Sequence, residues 1–401
     1  MSSSKKKTVF IAISMSIKLG YTRSIFCCAL IAILAIIIAT HFLSQKAPTA
    51  ERIKYAQSLA REHILQSLTA GGFFRYDLDP LFDRSSDSDY DVRQMLASRE
   101  LALGARSDEA MYAAHKKNLD AIFSNWYDSD GERGYLHTPI GSSLGVNALF
   151  LRVLVESPFF EALRREADMV VENILSAQHE DGSFDAYGIE SPYAYNTKRT
   201  LAYAAPEALL ALLEYVEKTG NDAVFTKTKK SFDFYYQKYV SDIEQNYYSM
   251  YVPWLTMAIY QYTKMTAETQ YVEGVFVLYD RLLEMQDTLF FPGRFYDRAH
   301  PEYGRQHTGA DAIFTEGLGY ALLLAKQGND TKRVDRYSDA LKNGLSNLLS
   351  LQYTKQSPLL SAHREQYVGA FRIRSSSFWT RIDVTAHALD AFDSALQALA
   401  K

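Results

Sequence analysis

The clearest candidates for acid–base chemistry lie near the end of the chain. Asp383, His387 and Asp390 are three or four residues apart, so they share one face of a predicted helix. Arg381 stands two residues before Asp383, and a buried carboxylate beside an arginine is expected to stay ionised. His387, one turn further along, is either a general base or a core histidine bonded to Asp383. We therefore predict Asp383 and His387 as catalytic residues.

Three further carboxyl groups are candidates for the same site. Asp91 ends the polar run SSDSDYD where a helix begins, and it would lie near Asp383 if the two ends of the chain meet. Glu207 and Glu316 each stand in the first turn of an otherwise apolar helix. Such a carboxyl group either caps the amino end of its helix or acts as an acid in a dry site. We predict that Asp91, Glu207 and Glu316 are catalytic and converge with Asp383 on one cavity.

Aromatic and arginine side chains are frequent just before the apolar helices. Tyr and Trp offer flat faces with a hydrogen-bonding tip, which suits stacking on sugar rings. Arginine binds carboxylates, sulfates or phosphates through two parallel hydrogen bonds. These residue types indicate an anionic glycan such as a uronate polymer, unless the arginines pair with neighbouring Asp and Glu residues and hold the loops together. The predicted substrate-binding residues are Arg75, Arg93, Tyr195, Arg199, Tyr248, Trp254, Arg294, His307, Arg372 and Arg381.

The acidic and histidine residues do not show a metal-binding spacing. Asp87, Asp89 and Asp91 alternate, but the run lacks the glycine turn and the terminal glutamate of a calcium loop. The histidines near the predicted site fall on separate helical hairpins, without a His-x-x-x-His pair. The two cysteines are adjacent, at positions 27 and 28, which excludes a disulfide framework and a cysteine zinc site. We predict neither a metal nor a cofactor.

The charge of the chain argues against nucleic acid as a partner. The 401 residues carry a net charge of −4, which leaves no bulk positive charge to attract a phosphate backbone. With 28 Tyr and 22 Phe the core is easily filled, and the composition does not suggest extended disorder. The predicted partners are a glycan substrate and a membrane. Protein partners are left open.

Residues 24–43 predict a membrane anchor. They are apolar and uncharged, and about 20 such residues cross a bilayer as a helix. Five Lys and Arg residues precede them, which places the amino end in the cytoplasm. We predict a basic cytoplasmic segment 1–23, a transmembrane signal anchor 24–43, and an exported domain 44–401 in the periplasm or outside the cell. A cleaved signal peptide is the alternative, because residues 47–50 could serve as a poor cleavage site.

The elements that must position the candidate residues are helices. From about residue 50 onward the apolar residues recur at helical spacing, and no convincing strand pattern interrupts them. A unit of amphipathic helix, loop and more apolar helix repeats six times. Helices that are apolar on all sides, such as VNALFLRVLV, are expected to be buried on all sides. We predict an all-α (α/α)6 toroid of six helical hairpins, with an open solenoid as the alternative.

Glutamines recur at the ends of the amphipathic helices. Gln178, Gln286 and Gln352 occupy corresponding places in three repeats. A glutamine there can satisfy free backbone groups of the helix end or of the next loop. We interpret this recurrence as structural.

These repeats resemble those of known toroids. The architecture over about residues 50–401 resembles the six-hairpin (α/α)6 toroids of carbohydrate-active enzymes: polysaccharide lyases, inverting glycosidases and the C-terminal part of glucuronyl C5-epimerases. The run QHEDGSF is also similar to a repeat element of terpene-cyclase and prenyltransferase toroids, although a mouth rich in arginine disfavours a terpene cyclase.

Together with the anchor predicted at 24–43, the resemblance implies a membrane-anchored protein that acts on a polysaccharide. The reaction it implies is elimination, C5-epimerisation or hydrolysis. Hydrolysis with inversion requires two carboxyl groups about 6.5–9.5 Å apart. Elimination or epimerisation requires an arginine that neutralises the uronate and a Tyr or His that removes the C5 proton. The alternative from another class is a non-catalytic glycan-binding or assembly component of a polysaccharide biosynthesis or export system.

Overall fold

The computed structural model describes residues 48–86, 89–187, 197–298, 301, 307–357 and 363–400. The predicted anchor 24–43 and the predicted substrate-binding residue Tyr195 lie outside these residues. Among the described residues, no helix has both the length and the apolar character needed to cross a bilayer.

Twelve long helices alternate between an outer and an inner position along the described part of the chain. The outer helices are α1 (Ala50–Ser67), α3 (Glu109–Asn125), α5 (Arg164–Ser176), α7 (Asp222–Tyr236), α9 (Val272–Leu282) and α11 (Thr331–Leu351). The inner helices are α2 (Asp91–Gly104), α4 (Leu144–Glu156), α6 (Thr197–Thr219), α8 (Tyr251–Thr266), α10 (Thr308–Gln327) and α12 (Ile382–Ala400).

The inner helices form a closed ring. Each packs against the next in chain order, and α12 packs against both α10 and α2, so the last inner helix meets the first. Each outer helix from α3 to α11 packs against the inner helix that precedes it in the chain, and α1 packs in the same way against α12. The predicted all-α toroid is therefore confirmed for the described residues, and the open solenoid is not observed there.

The hydrophobic pattern explains which helices lie inside. In α4 every residue from Leu144 to Val155 is buried. In α11 the buried residues recur every three or four positions, from Tyr337 to Leu351, which leaves the opposite face polar. The turn between α8 and α9 depends on Ala267, which adopts the left-handed conformation (φ 60°) that ends α8, and α9 begins five residues later.

Short strands join the two ends of the described chain and order the loops. Strand β1 (Asp77–Leu78) pairs antiparallel with β4 (Thr380–Arg381). Strand β2 (Tyr127–Ser129) pairs with β3 (Gly134–Leu136) in the loop between α3 and α4. The β1–β4 pair sets the first hairpin beside the sixth, as the sequence predicted.

The recurrent glutamines connect each outer helix to the next one. The side-chain amide of each donates a hydrogen bond to a backbone carbonyl of the following outer helix. The last of these bonds, from Gln352 to the Ala56 carbonyl at 2.8 Å, joins α11 to α1 and spans the closure of the ring. The other two run from Gln178 to Lys227 (2.8 Å) and from Gln286 to Ala340 (3.0 Å). The structural role predicted for these glutamines is confirmed.

A glycine beside each glutamine allows the close approach. Gly369 has a φ of +93°, and a Cβ placed there would lie 1.9 Å from the Leu59 carbonyl oxygen of α1. A side chain at this position would therefore separate α1 from the loop that precedes α12. The space exists because glycine has no Cβ and adopts positive φ without strain.

We expect Gly369→Ala to lower the free energy of unfolding by at least about 3 kcal/mol, because the added Cβ collides with backbone in addition to straining φ. Gly131→Ala is the matched control. Its φ is +97° but nothing lies within 4 Å of the added Cβ, so we expect only the backbone strain, about 1–2 kcal/mol. Urea unfolding followed by circular dichroism measures both, and equal losses would contradict a clash at the ring closure.

Candidate functional site

The candidate residues surround the amino ends of the inner helices, where the long outer-to-inner loops arrive. We call Asp91, Arg93, Glu207, His307, Arg381 and Asp383 the mouth. Peptide dipoles give the amino end of a helix a partial positive charge, and inner helices that run parallel direct these ends to the same side. The mouth is therefore suited to hold negative charge.

Asp383 is held between two arginines. Its carboxylate accepts two hydrogen bonds from Arg381, at 2.6 and 2.7 Å, and the Nε of Arg93 lies 3.4 Å away. Burial by itself would raise the pKa of Asp383, but the charges of Arg381 and Arg93 outweigh burial and lower it. The Arg93 guanidinium also lies over the rings of Tyr76 and Tyr90, at 5.3 and 4.8 Å. Asp383 is thus a fixed anion, as expected for a carboxylate beside Arg381.

Asp91 is the first residue of α2 and is almost fully buried. Its Oδ2 accepts a hydrogen bond from the Thr138 hydroxyl at 2.8 Å, and its Oδ1 accepts one from the Val92 amide. Burial raises the pKa of Asp91, although both hydrogen bonds act in the opposite direction. Thr138 comes from the loop after β3, and its contribution could not be recognised from the sequence because it depends on where that loop lies.

Glu207 lies about three turns inside α6 rather than in its first turn, because α6 begins at Thr197. It is 3% exposed, and its Oε2 has no hydrogen-bond partner among the described residues. Burial raises its pKa to about 8, and the charge of Arg152 opposes this only partly. The carboxyl group lies over Gly145, where an added Cβ would be 2.9 Å from Oε2. Gly145 also lines, together with Asp91, a small cavity of about 50 Å³ between α2, α4 and α6, and Glu207 lies against Gly145 without lining that cavity itself.

His307 caps the amino end of α10. Its Nδ1 accepts a hydrogen bond from the Gly309 amide at 2.9 Å, so the proton of the neutral ring is on Nε2. Burial, together with the charge of Arg381, lowers the pKa of His307 to about 4, so the ring is neutral. Its Nε2 is buried without a hydrogen-bond partner among the described residues. His307 can therefore donate a hydrogen bond to a ligand in the mouth.

Several predicted substrate-binding residues instead hold loops together. Arg75 donates hydrogen bonds to the Gln66 carbonyl and to the Gln366 side chain. Arg372 donates to two backbone carbonyls, those of Ser350 and Ser375. For these two arginines the alternative interpretation, loop stabilisation, describes the contacts that the structure shows.

The remaining candidates lie in different surroundings. Arg199 is exposed and donates a hydrogen bond to the Tyr248 hydroxyl at 3.1 Å. Arg294 lies over the Phe291 ring at 4.2 Å. Trp254 is 4% exposed, and its ring is 6.1 Å from that of His387, so it packs in the interior of the ring rather than in an open mouth.

Glu316 does not lie in the mouth, contrary to our expectation of a common cavity. It is near His387 and Asp390, and one potential ligand atom from each of the three lies within 4.8 Å of the others. Asp390 is seven residues after Asp383 on α12, about 10 Å further along the helix axis. The four carboxyl groups therefore divide into two layers, with Asp91, Glu207 and Asp383 in the outer one.

The deeper layer joins the predicted residues Glu316 and His387 to charged side chains that the sequence analysis did not select. Its ion pairs are Arg152 with Glu214, bidentate at 2.8 Å, and Arg99 with Asp390 at 2.7 Å. Burial raises the pKa of Glu316 well above its ordinary value. The sequence did contain a signal for these ion pairs. Arg152 is an ionisable residue inside the apolar helix VNALFLRVLV, and a fully buried charge needs a partner. We call this set the central cluster: Arg99, Glu100, Arg152, Glu214, Glu316, His387 and Asp390.

A larger chamber, of about 510 Å³, opens at the carboxyl ends of the inner helices. Its size would favour it as the ligand site. However, its charged groups are largely paired with one another, for example Arg152 with Glu214 and Lys264 with Glu217. The mouth combines two atoms without partners among the described residues, Glu207 Oε2 and His307 Nε2, with the arginine charges around Asp383. We therefore assign the candidate chemistry to the mouth.

Comparison with known proteins gives matches in structure only. No model of a known protein family matches the chain, and no curated protein matches it. A D-mannose isomerase superposes with a TM-score of 0.64 at 11% identity, over 86% of this chain and 97% of that one. An unsaturated glucuronyl hydrolase specific for heparin gives 0.61 at 10% identity, over 88% and 99%. An inactive α-1,6-mannanase, GH76A of Salegentibacter sp. HEL1_6, with α-1,6-mannotriose gives 0.58 at 13% identity, over 87% and 100%.

These matches confirm the resemblance to six-hairpin carbohydrate-active proteins at the level of the fold, without a single family. The described domain spans nearly the whole length of each matched chain, so the shared architecture is complete rather than local. At such low identities the likeness establishes the fold, and the reaction has to be inferred from the side chains.

We expect the raised pKa of Glu207 to make the free energy of unfolding decrease as the pH rises from about 5 to about 8. In the unfolded chain this carboxyl group ionises near 4.5, whereas the folded protein keeps the proton up to about 8. The folded state then binds more protons, so the free energy of unfolding decreases with pH. Glu207→Gln should gain roughly 4 kcal/mol relative to wild type across this window. Urea unfolding at several pH values tests this, and parallel pH profiles for the two proteins would contradict it.

Proposed function

We propose that the domain after residue 47 is a carbohydrate-active enzyme that hydrolyses an anionic polysaccharide. The observation that carries the proposal is the Glu207 carboxyl group of the mouth, whose pKa burial raises to about 8 and whose Oε2 has no hydrogen-bond partner among the described residues. Hydrolysis of a glycosidic bond requires such an acid to protonate the leaving oxygen. Asp91, whose charged form accepts two hydrogen bonds, is the second carboxyl group.

The charges of the mouth support an anionic substrate. Arg93, Arg374 and Arg381 all act electrostatically on His307, against the single carboxylate of Asp383. The surplus of positive charge, together with the amino ends of the helices, favours a uronate carboxylate or a sulfate. His307 offers a neutral N–H donor at the same place. The fold is also shared with the three enzymes compared above, whose names refer to glucuronyl groups, mannan and mannose.

Hydrolysis fits these side chains better than elimination or epimerisation does. Those reactions need a base strong enough to remove the C5 proton at neutral pH. Burial raises the pKa of Tyr203, which lines the small cavity beside Asp91, to about 12, and burial lowers that of His307 to about 4. Neither is therefore tuned as a base near neutral pH.

A non-catalytic glycan-binding role is the second candidate. It is favoured by the size of the described cavity beside Asp91, about 50 Å³, whereas ligand pockets usually measure about 300–1,000 Å³. In that case the exposed Arg199 and its partner Tyr248 would hold a polymer at the surface. The proposal also retains the predicted anchor at 24–43 and an exported location, which depend on the sequence.

Turnover separates the two candidates. Purified full-length protein is incubated with a panel of acidic and neutral polysaccharides, and release of reducing ends and absorbance of new double bonds are both followed. We expect reducing ends from an acidic glycan and no new absorbance. Glu207→Gln should lose at least about 100-fold in turnover while retention on the same glycan persists. New absorbance would indicate elimination, and retention without either signal would indicate the binding role.

The arginine surplus gives a separate prediction about affinity. Arg93→Gln should weaken retention on the acidic glycan, by roughly tenfold for one lost charge-assisted contact, while Arg381 keeps Asp383 paired. Arg106→Gln is the matched control, since Arg106 pairs with Glu156 at the carboxyl end of α4. Affinity electrophoresis in glycan-containing gels measures both variants. Equal weakening by the two substitutions would show that general surface charge, and not the mouth, attracts the polymer.

A further inference from the structure

Four buried atoms of the central cluster lack a hydrogen-bond partner among the described residues: Arg99 Nε, Glu100 Oε1, Glu316 Oε2 and His387 Nδ1. Glu316 is 3% exposed, and its Oε2 has no hydrogen-bond partner among the described residues. The Nδ1 of His387 is buried and lacks a partner in the same part of the chain. Buried polar atoms are almost always hydrogen-bonded, and leaving one unpaired costs about 1–3 kcal/mol. Two such atoms on neighbouring helices therefore point to a ligand between them.

The geometry identifies the chemistry of that ligand. Glu316 on α10 and His387 and Asp390 on α12 each offer one ligand atom, and the three atoms lie within 4.8 Å of one another. A metal with bonds of about 2.1 Å in a tetrahedral arrangement needs ligand atoms about 3.4 Å apart. The three side chains would have to approach by about 1.4 Å at most, which small rotations allow. We propose that Glu316, His387 and Asp390 bind one divalent transition-metal ion.

The neighbouring arginines do not exclude a cation. The central cluster contains two arginines, Arg99 and Arg152, and four carboxyl groups, those of Glu100, Glu214, Glu316 and Asp390. With all four ionised, two positive and four negative charges leave a net charge of −2, which one divalent ion neutralises. Arg99 occupies only Oδ1 of Asp390, at 2.7 Å, so the other oxygen remains for the metal.

The donor set selects among metals. One imidazole with two carboxylates suits Zn²⁺ or Mn²⁺, whereas Mg²⁺ prefers an all-oxygen octahedral set. The chamber at the carboxyl ends of the inner helices gives the ion a route of entry, because Asp390 lines it. This site departs from the sequence-based expectation that the chain lacks a metal, since its ligands come from helices about 70 residues apart in the chain. It does not depend on the proposed hydrolysis.

Metal binding to the full-length protein tests the proposal. After treatment with EDTA and dialysis, the protein is titrated with ZnCl₂, MnCl₂ and MgCl₂ in a calorimeter, and bound metal is measured by elemental analysis. We expect one Zn²⁺ or Mn²⁺ per chain, no comparable binding of Mg²⁺, and a higher melting temperature with the bound ion. Glu316→Gln and His387→Gln should each weaken binding at least about tenfold and remove that increase.

Glu207→Gln is the matched control, because Glu207 is also a buried glutamate with an unpaired oxygen but belongs to the mouth. It should bind the metal as the wild type does. Circular dichroism reports whether each variant folds. If Glu316→Gln does not fold, metal binding by His387→Gln decides the test. Lack of stoichiometric binding by the wild type, or full binding by a folded Glu316→Gln or His387→Gln variant, overturns the proposal and leaves water as the occupant.

Discussion

Closure of the inner ring is the constraint on which the rest of the structure depends. An inner helix is apolar on all sides, so a helix at the end of an open row would expose one buried face to water. The bond from Gln352 to the Ala56 carbonyl and the approach of Gly369 to Leu59 join the last outer helix to the first. The same closure brings Asp383 within reach of Arg93, so the mouth exists only when the ring is complete.

The interior of the ring is polar in two layers, for different physical reasons. In the mouth, a surplus of arginine and the amino ends of the helices hold Asp383 ionised, while burial keeps Glu207 protonated. Two carboxyl groups of the mouth are thus set to opposite states by their surroundings. In the central cluster, arginines and carboxyl groups neutralise each other across helices, which makes the burial of so many ionisable groups tolerable. Trp254 packs against His387 of the central cluster.

Much of the fold was predictable because its signals are local. The spacing of apolar residues gave the order of helices, and the recurrent glutamines marked positions that proved to be the joints between outer helices. The positions of the arginines were also visible, but their partners were not. Arg75 and Arg372 bind loop backbone, whereas Arg93 and Arg381 pair with Asp383. The neighbouring residues in the sequence do not distinguish these two kinds of partner.

By itself, the sequence determined that the part after residue 47 forms paired helices, which member of each pair is buried, and that Asp383 beside Arg381 stays charged. Each of these follows from interactions between residues a few positions apart. Only the tertiary structure decided that Glu316 joins His387 and Asp390 rather than Asp91 and Glu207. The depth of a side chain along the ring axis depends on how far its inner helix is shifted relative to the neighbouring inner helices. Contacts over hundreds of residues set that shift, and helical periodicity carries no information about it.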